Sequence, residues 1–167
     1  MDTKPSGRLQ EHLDEQCGIL TTRQLYGLGE NRESLRHAVE TGQWLRVFRG
    51  VFAVTNGPLT REMQFSAALL YAGPSALLSH DSAAEAWGMA RPTDGLVHVT
   101  VPYGCSAISQ PSTLRHADRR FTSTAHDVVH PGVEVHRSRA MAHIGADTNP
   151  RRTSKADTVL DLAVAAS

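Results

Sequence analysis

The sequence predicts an α+β fold in two domains, and three observations carry that prediction. Residues 19–54 read as two short helices followed by a two-stranded ribbon. Residues 96–101 and 133–137 alternate apolar and polar side chains, the period-two signature of half-buried strands. Helical patterns punctuated by Gly and Pro fill the intervals. The domains are expected at residues 8–55 and 58–167, the second a small α/β domain.

Taken in order, residues 1–7 are polar and expected to fray. Residues 8–16 carry Leu9 and Leu13 at i, i+4 and predict a helix ending at Gly18. Thr21 or Thr22 can cap the next helix, where Leu25 and Leu28 share a face and Gly27 and Gly29 mark the end. Asn31 is a good N-cap for a helix over 32–41, whose Leu35, Ala38 and Val39 form one apolar stripe, with Gly42 as its stop. Two β-rich runs, 44–48 and 51–54, then flank Arg49-Gly50, a turn of hairpin length. Helix, turn, helix and hairpin in that order describe a winged helix-turn-helix over 8–55, an arrangement that places its second helix in a DNA groove.

That reading assigns roles. Arg32, Ser34, Arg36 and His37 would enter or border the major groove, Arg23 and Gln24 would touch the backbone, and Arg46 and Arg49 would anchor the wing on phosphates. Between Arg32 and Arg49 there are four arginines and two glutamates, so the face is only mildly basic. A winged helix that docks on another protein is the alternative, because fold does not fix function.

The second domain begins after the turn at Asn56-Gly57-Pro58. A helix capped by Thr60 carries Met63, Ala67, Leu70 and Tyr71 on one side and stops at Gly73-Pro74. A short strand is expected at 76–78, then a helix starting at Ser79 or Asp81 and running to Trp87. The strands at 96–101 and 133–137 follow, separated by a polar segment, 103–131, expected to be a mobile loop. Thr153 or Ser154 caps a last helix with Val159, Leu160, Leu162 and Ala163.

Seventeen basic and seventeen acidic residues cancel, so no bulk charge drives the chain to nucleic acid or membrane, and any DNA attraction must be local. Cys17 and Cys105 are isolated, signalling neither a zinc motif nor a disulfide framework. The start MDTKPSGRLQ has no apolar core of a leader, and no apolar run spans a membrane; a cytoplasmic protein with no membrane partner is expected.

Nine histidines invite a metal reading, above all His126, His130, His136 and His143, but none forms a tight ligand pair, so no metal and no cofactor is expected. His80 reads as a structural hydrogen-bonding residue. Ser79-His80-Asp81 is mere adjacency, which is not a triad. Asp157 and Asp161, four apart, read as solvated or capping groups, and there is no Walker-type loop. The chain is therefore not expected to be an enzyme. Arg137, Arg139, Arg151 and Arg152 form a second basic cluster, either a solvated edge or a supplementary phosphate grip.

The strings Gly18-Ile19-Leu20-Thr21-Thr22-Arg23-Gln24-Leu25, Gly42-Gln43-Trp44-Leu45-Arg46 and Gly50-Val51-Phe52-Ala53 resemble the winged helix of AbiEi-family antitoxins. Leu78-Ser79-His80-Asp81-Ser82-Ala83-Ala84, Trp87-Gly88, His98-Val99-Thr100-Val101-Pro102, Val135-His136-Arg137-Ser138 and Thr158-Val159-Leu160-Asp161-Leu162-Ala163 resemble the domain after that wing. The resemblance implies a DNA-binding transcriptional regulator, the antitoxin of a type IV toxin–antitoxin (phage-defence) operon, autoregulating its promoter through double-stranded DNA. It implies functional opposition to a nucleotidyltransferase-like toxin, not necessarily by stable contact. Many actinobacterial relatives continue into a Vsr-like endonuclease domain, so the front part of such a nuclease, lacking its catalytic domain, is a further alternative. This chain differs in carrying Glu33 and Glu40 on its second helix and a long insertion at 104–130.

Overall fold

A hydrophobic cluster of Leu20, Leu25, Leu35 and Phe52 organises the N-terminal part of the chain, with Leu9, Leu13, Val39, Trp44 and Val54 packed around it. These side chains come from helices α1 (Gly7–Glu15), α2 (Thr22–Gly27) and α3 (Arg32–Glu40), from strands β1 (Ile19–Thr21) and β3 (Val51–Ala53), and from Trp44 and Val54, which flank the hairpin of β2 (Leu45–Phe48) and β3. Full burial of each such side chain stabilises the fold by about 1.5–3 kcal/mol. A computed structural model describes residues 7–114 and 128–167. Residues 1–6 of the expected frayed start, and residues 115–127 with His126, lie outside the described residues.

Strand β1 was not expected. Ile19 and Leu20 are wholly buried, and the strand pairs antiparallel with β3 (Ile19 opposite Ala53, Thr21 opposite Val51). With β2 on the far side of β3 the sheet order is β1-β3-β2. Arg49-Gly50 closes the β2–β3 turn, and Gly50 takes the positive φ (76°) that such a turn needs. Thr22 N–H donates to the Gly50 carbonyl at 2.9 Å, which fixes the hairpin tip against the start of α2. Helix α4 (Arg61–Ala72) follows, with Thr60 Oγ1 accepting from Met63 N–H as its cap.

The chain divides into two units, Met1–Tyr71 and Ala72–Ser167. In the second, the elements are β4 (Leu77–Leu78), α5 (His80–Ala86), β5 (Val97–Pro102), β6 (Thr113–Leu114), β7 (Val128–His130), β8 (Val133–Ser138), α6 (Met141–Ile144), β9 (Gly145–Ala146), β10 (Arg152–Thr153) and α7 (Lys155–Ala165). Five strands form one sheet in the order β8-β5-β4-β10-β9. Pairs β5–β8 and β4–β10 are parallel, while β4–β5 and β9–β10 are antiparallel. Mixed helices and sheets of both kinds place the chain in the α+β class, as expected.

The segment after β5 is more ordered at its ends than a loop. Strands β6 and β7 pair antiparallel, and Gln110 bridges Val133. Gly132 makes that approach possible: its φ is +108°, and a Cβ there would sit 2.7 Å from the Gln110 carbonyl oxygen. Helix α5 packs on β5 and on α7. Trp87, just past α5, donates its indole N–H to the Thr153 carbonyl at 2.9 Å. Ser154 caps α7, its Oγ accepting from Asp157 N–H and lying against the Asp157 carboxylate. On α7, Val159 and Leu160 are exposed, and Thr158 is buried.

Candidate nucleic-acid interface

Helix α3 shows how the interface is built. Asn31 Oδ1 accepts from the N–H groups of Glu33 and Ser34, both at 2.9 Å, which opens the helix with its exposed face set by the buried stripe of Leu35 and Ala38. That orientation leaves Arg32, Arg36 and His37 exposed. Arg23 is exposed in the first turn of α2, Arg46 on β2, and Arg49 in the β2–β3 turn. The Thr22–Gly50 hydrogen bond brings the starting turn of α2 and the arginine-bearing hairpin tip together.

Three expected contacts look different in the structure. Ser34 Oγ accepts from Asn31 N–H and donates to Asn31 O, each at 2.9 Å, so the hydroxyl closes a capping box. Gln24 does the same for α2: its Oε1 accepts from Thr21 N–H at 2.9 Å and Thr21 Oγ1 at 3.1 Å. Arg36 is held between Glu33 (3.1 Å) and Glu40 (3.5 Å), one helical turn to either side. The Arg36 guanidinium is thus paired on its own helix while its side chain stays exposed.

The second basic cluster is used internally. Arg137 Nη2 donates to Ala107 O at 2.6 Å, and Arg139 lies over the Tyr103 ring at 4.4 Å. Arg151 reaches the Gly73 carbonyl, while Arg152 bonds to Ala86 O and Thr148 Oγ1 and stacks over Trp87. Arg137 and Arg139 remain exposed, and Arg151 and Arg152 are partly buried.

A polar assembly that sequence spacing does not reveal lies in the second unit. On β5 the valines 97, 99 and 101 are buried, so His98 and Thr100 point to the opposite face. The parallel register sets His136 of β8 beside Thr100. His98 Nδ1 and His136 Nε2 are 3.1 Å apart. The His80 ring, from the start of α5, stacks on His136 with centroids 3.9 Å apart. His80 Nδ1 is 3.0 Å from Ser79 Oγ and 3.8 Å from Asp161 Oδ2 on α7. Burial, then the neighbouring His80 and His98, pull the His136 pKa from 6.5 down to about 4. A pocket of about 380 Å³ opens onto His80, His136, Thr100, Ser138, Asp157 and Asp161.

Among the described residues, His130 and His143, also named from sequence, lie outside this cluster. Buried His130 accepts from Gly132 N–H at 3.0 Å, and His143 is exposed on α6. His80 does bond its neighbour as expected; the Asp157 carboxylate accepts from the Ser154 hydroxyl that caps α7, and Asp161 faces the histidines.

No helix among the described residues is long and apolar enough to cross a membrane. No curated protein matches the chain. The capped helices, the turn between them and the hairpin all fall inside one matched segment: residues 8–55 fit the family model described as transcriptional regulator, AbiEi antitoxin.

Proposed function

We propose that residues 8–55 form a winged helix-turn-helix that binds duplex promoter DNA. On this reading the chain is a DNA-binding transcriptional regulator, the antitoxin of a type IV toxin–antitoxin operon that it autoregulates. The observation that carries the reading is the common exposure of Arg32 and His37 on α3, Arg23 at the start of α2 and Arg49 at the hairpin tip. The match of this same segment to AbiEi antitoxin regulators supports it. Arg23, Arg46 and Arg49 serve as phosphate contacts, and Arg32 and His37 lie nearest the bases. A nucleotidyltransferase-like toxin is the functional counterpart, opposed without a required stable contact.

A second reading has its own support. The Glu33–Arg36–Glu40 chain presents alternating charge, which suits a protein surface better than a polyanion. Fluorescence anisotropy against the protein's own upstream duplex, at two salt concentrations and beside a scrambled duplex, separates the two. Salt-dependent preference for the upstream duplex supports the regulator. Equal, weak binding to both duplexes supports docking on a protein.

A further inference from the structure

We propose that His80, His98 and His136, with the Asp161 carboxylate beside them, hold a divalent transition-metal ion of the zinc class. One nitrogen from each of the three rings lies within 4.8 Å of the other two. Two imidazoles on one tetrahedral zinc, each about 2.0–2.1 Å from it, would stand roughly 3.3 Å apart. The His98–His136 pair is at 3.1 Å, and with all three nitrogens within 4.8 Å of one another, a shift of His80 by roughly 1.5 Å brings it into the same sphere.

The placement asks for a reason that packing does not supply. The same two strands fill their other face with Val97, Val99, Val101, Val133 and Val135. The face toward α5 and α7 could have been closed the same way, at lower desolvation cost than three imidazoles. The His98–His136 contact and the Ser79–His80 contact each occupy single nitrogens and do not explain why three rings gather on one face. His80 also holds a left-handed backbone, φ 50°, which a β-carbon-bearing residue adopts at some strain.

Chemistry selects the ion. Three nitrogen ligands suit zinc, cobalt, nickel or copper and do not suit magnesium or calcium, which take oxygen. Asp161 Oδ2, 3.8 Å from His80 Nδ1, is placed either to orient the imidazole or to close the fourth position, the usual carboxylate partner of a metal-bound histidine. The pocket beside Thr100, Ser138 and Asp157 provides the ion's path from solvent.

The test uses the untagged full chain, stripped with chelator and titrated with cobalt(II), followed by displacement with zinc and elemental analysis. One ion per chain, a cobalt ligand-field spectrum and a melting temperature raised by zinc but not by magnesium are expected. His136→Gln and His80→Asn should each weaken zinc binding at least ten-fold, and Asp161→Asn by about ten- to a hundred-fold. His143→Ala should leave zinc binding unchanged. Asn tolerates a left-handed backbone, so His80→Asn removes the ring without forcing the local fold. The proposal fails if the stripped chain shows no cobalt spectrum and no zinc-dependent melting shift. It fails equally if magnesium matches zinc, or if folded His80→Asn binds zinc as the parent does.

Discussion

Arg36 Nη2 lies 3.1 Å from Glu33 Oε1 on the exposed face of α3, with the Arg36 side chain 66% and the Glu33 side chain 82% accessible. Such an exposed pair stabilises a helix by only about 0.2–1 kcal/mol, yet it removes a positive charge from the surface that DNA would meet. Glu40 repeats the effect from the other side. Glu33→Gln with Glu40→Gln should therefore leave the melting temperature nearly unchanged while tightening duplex binding several-fold and steepening its salt dependence. Anisotropy titrations at two salt concentrations check this, and unchanged affinity would remove α3 from the interface.

Arg49 tests the hairpin. It contacts phosphate on the proposed reading, so Arg49→Ala should weaken upstream and scrambled duplexes alike. The slope of log affinity against log salt should flatten by about one unit. A loss confined to the upstream sequence would instead make Arg49 a base-reading residue.

Ser34 and Asn31 belong to a cap. Asn31→Ala should cost about 1 kcal/mol of stability, and Ser34→Ala somewhat less, both read as a lower urea midpoint. Neither substitution should alter which duplex is preferred once the protein is folded. A change of sequence preference in Ser34→Ala would return that hydroxyl to the bases.

Gly132 holds the β7–β8 connection against Gln110. Gly132→Ala combines an unfavourable positive φ with a 2.7 Å clash against backbone, so a loss on the order of 1–3 kcal/mol is expected in urea unfolding.

The pH dependence follows from His136. Its folded pKa, about 4, lies below the ordinary 6.5 because burial and the two neighbouring rings disfavour the imidazolium. Between those values the unfolded chain binds the extra proton, so stability is fully present above about pH 6.5 and is lost as pH falls toward 4. In chelator-treated protein the urea midpoint should drop between neutral pH and about pH 5, and His136→Gln should flatten that drop.

Much of the fold was legible because its signals are local. Asn31, Thr60 and Ser154 announce helix starts within three residues, and Val97–Pro102 alternates strictly. Strand β1 was not legible, since three residues carry no period and only pairing with β3 defines them. The capping boxes of α2 and α3 are legible too, since Thr21-x-x-Gln24 and Asn31-x-x-Ser34 have the spacing that ties both side chains to the backbone. The histidine assembly lay beyond reach. His80, His98 and His136 meet only through the parallel β5–β8 register and the seating of α5, neither of which has a mark in spacing.

The two tryptophans fall one to each unit. Trp44 packs beside the Leu20–Leu25–Leu35–Phe52 cluster, and Trp87 is anchored on Thr153 beneath the Arg152 guanidinium. The protein thus carries two built-in optical probes in distinct surroundings. Trp44→Phe would leave one emitter reporting on residues 72–167 alone, and Trp87→Phe one reporting on residues 1–71. A duplex that altered Trp87 emission would reveal communication from one half to the other, visible as a change of colour without any added label.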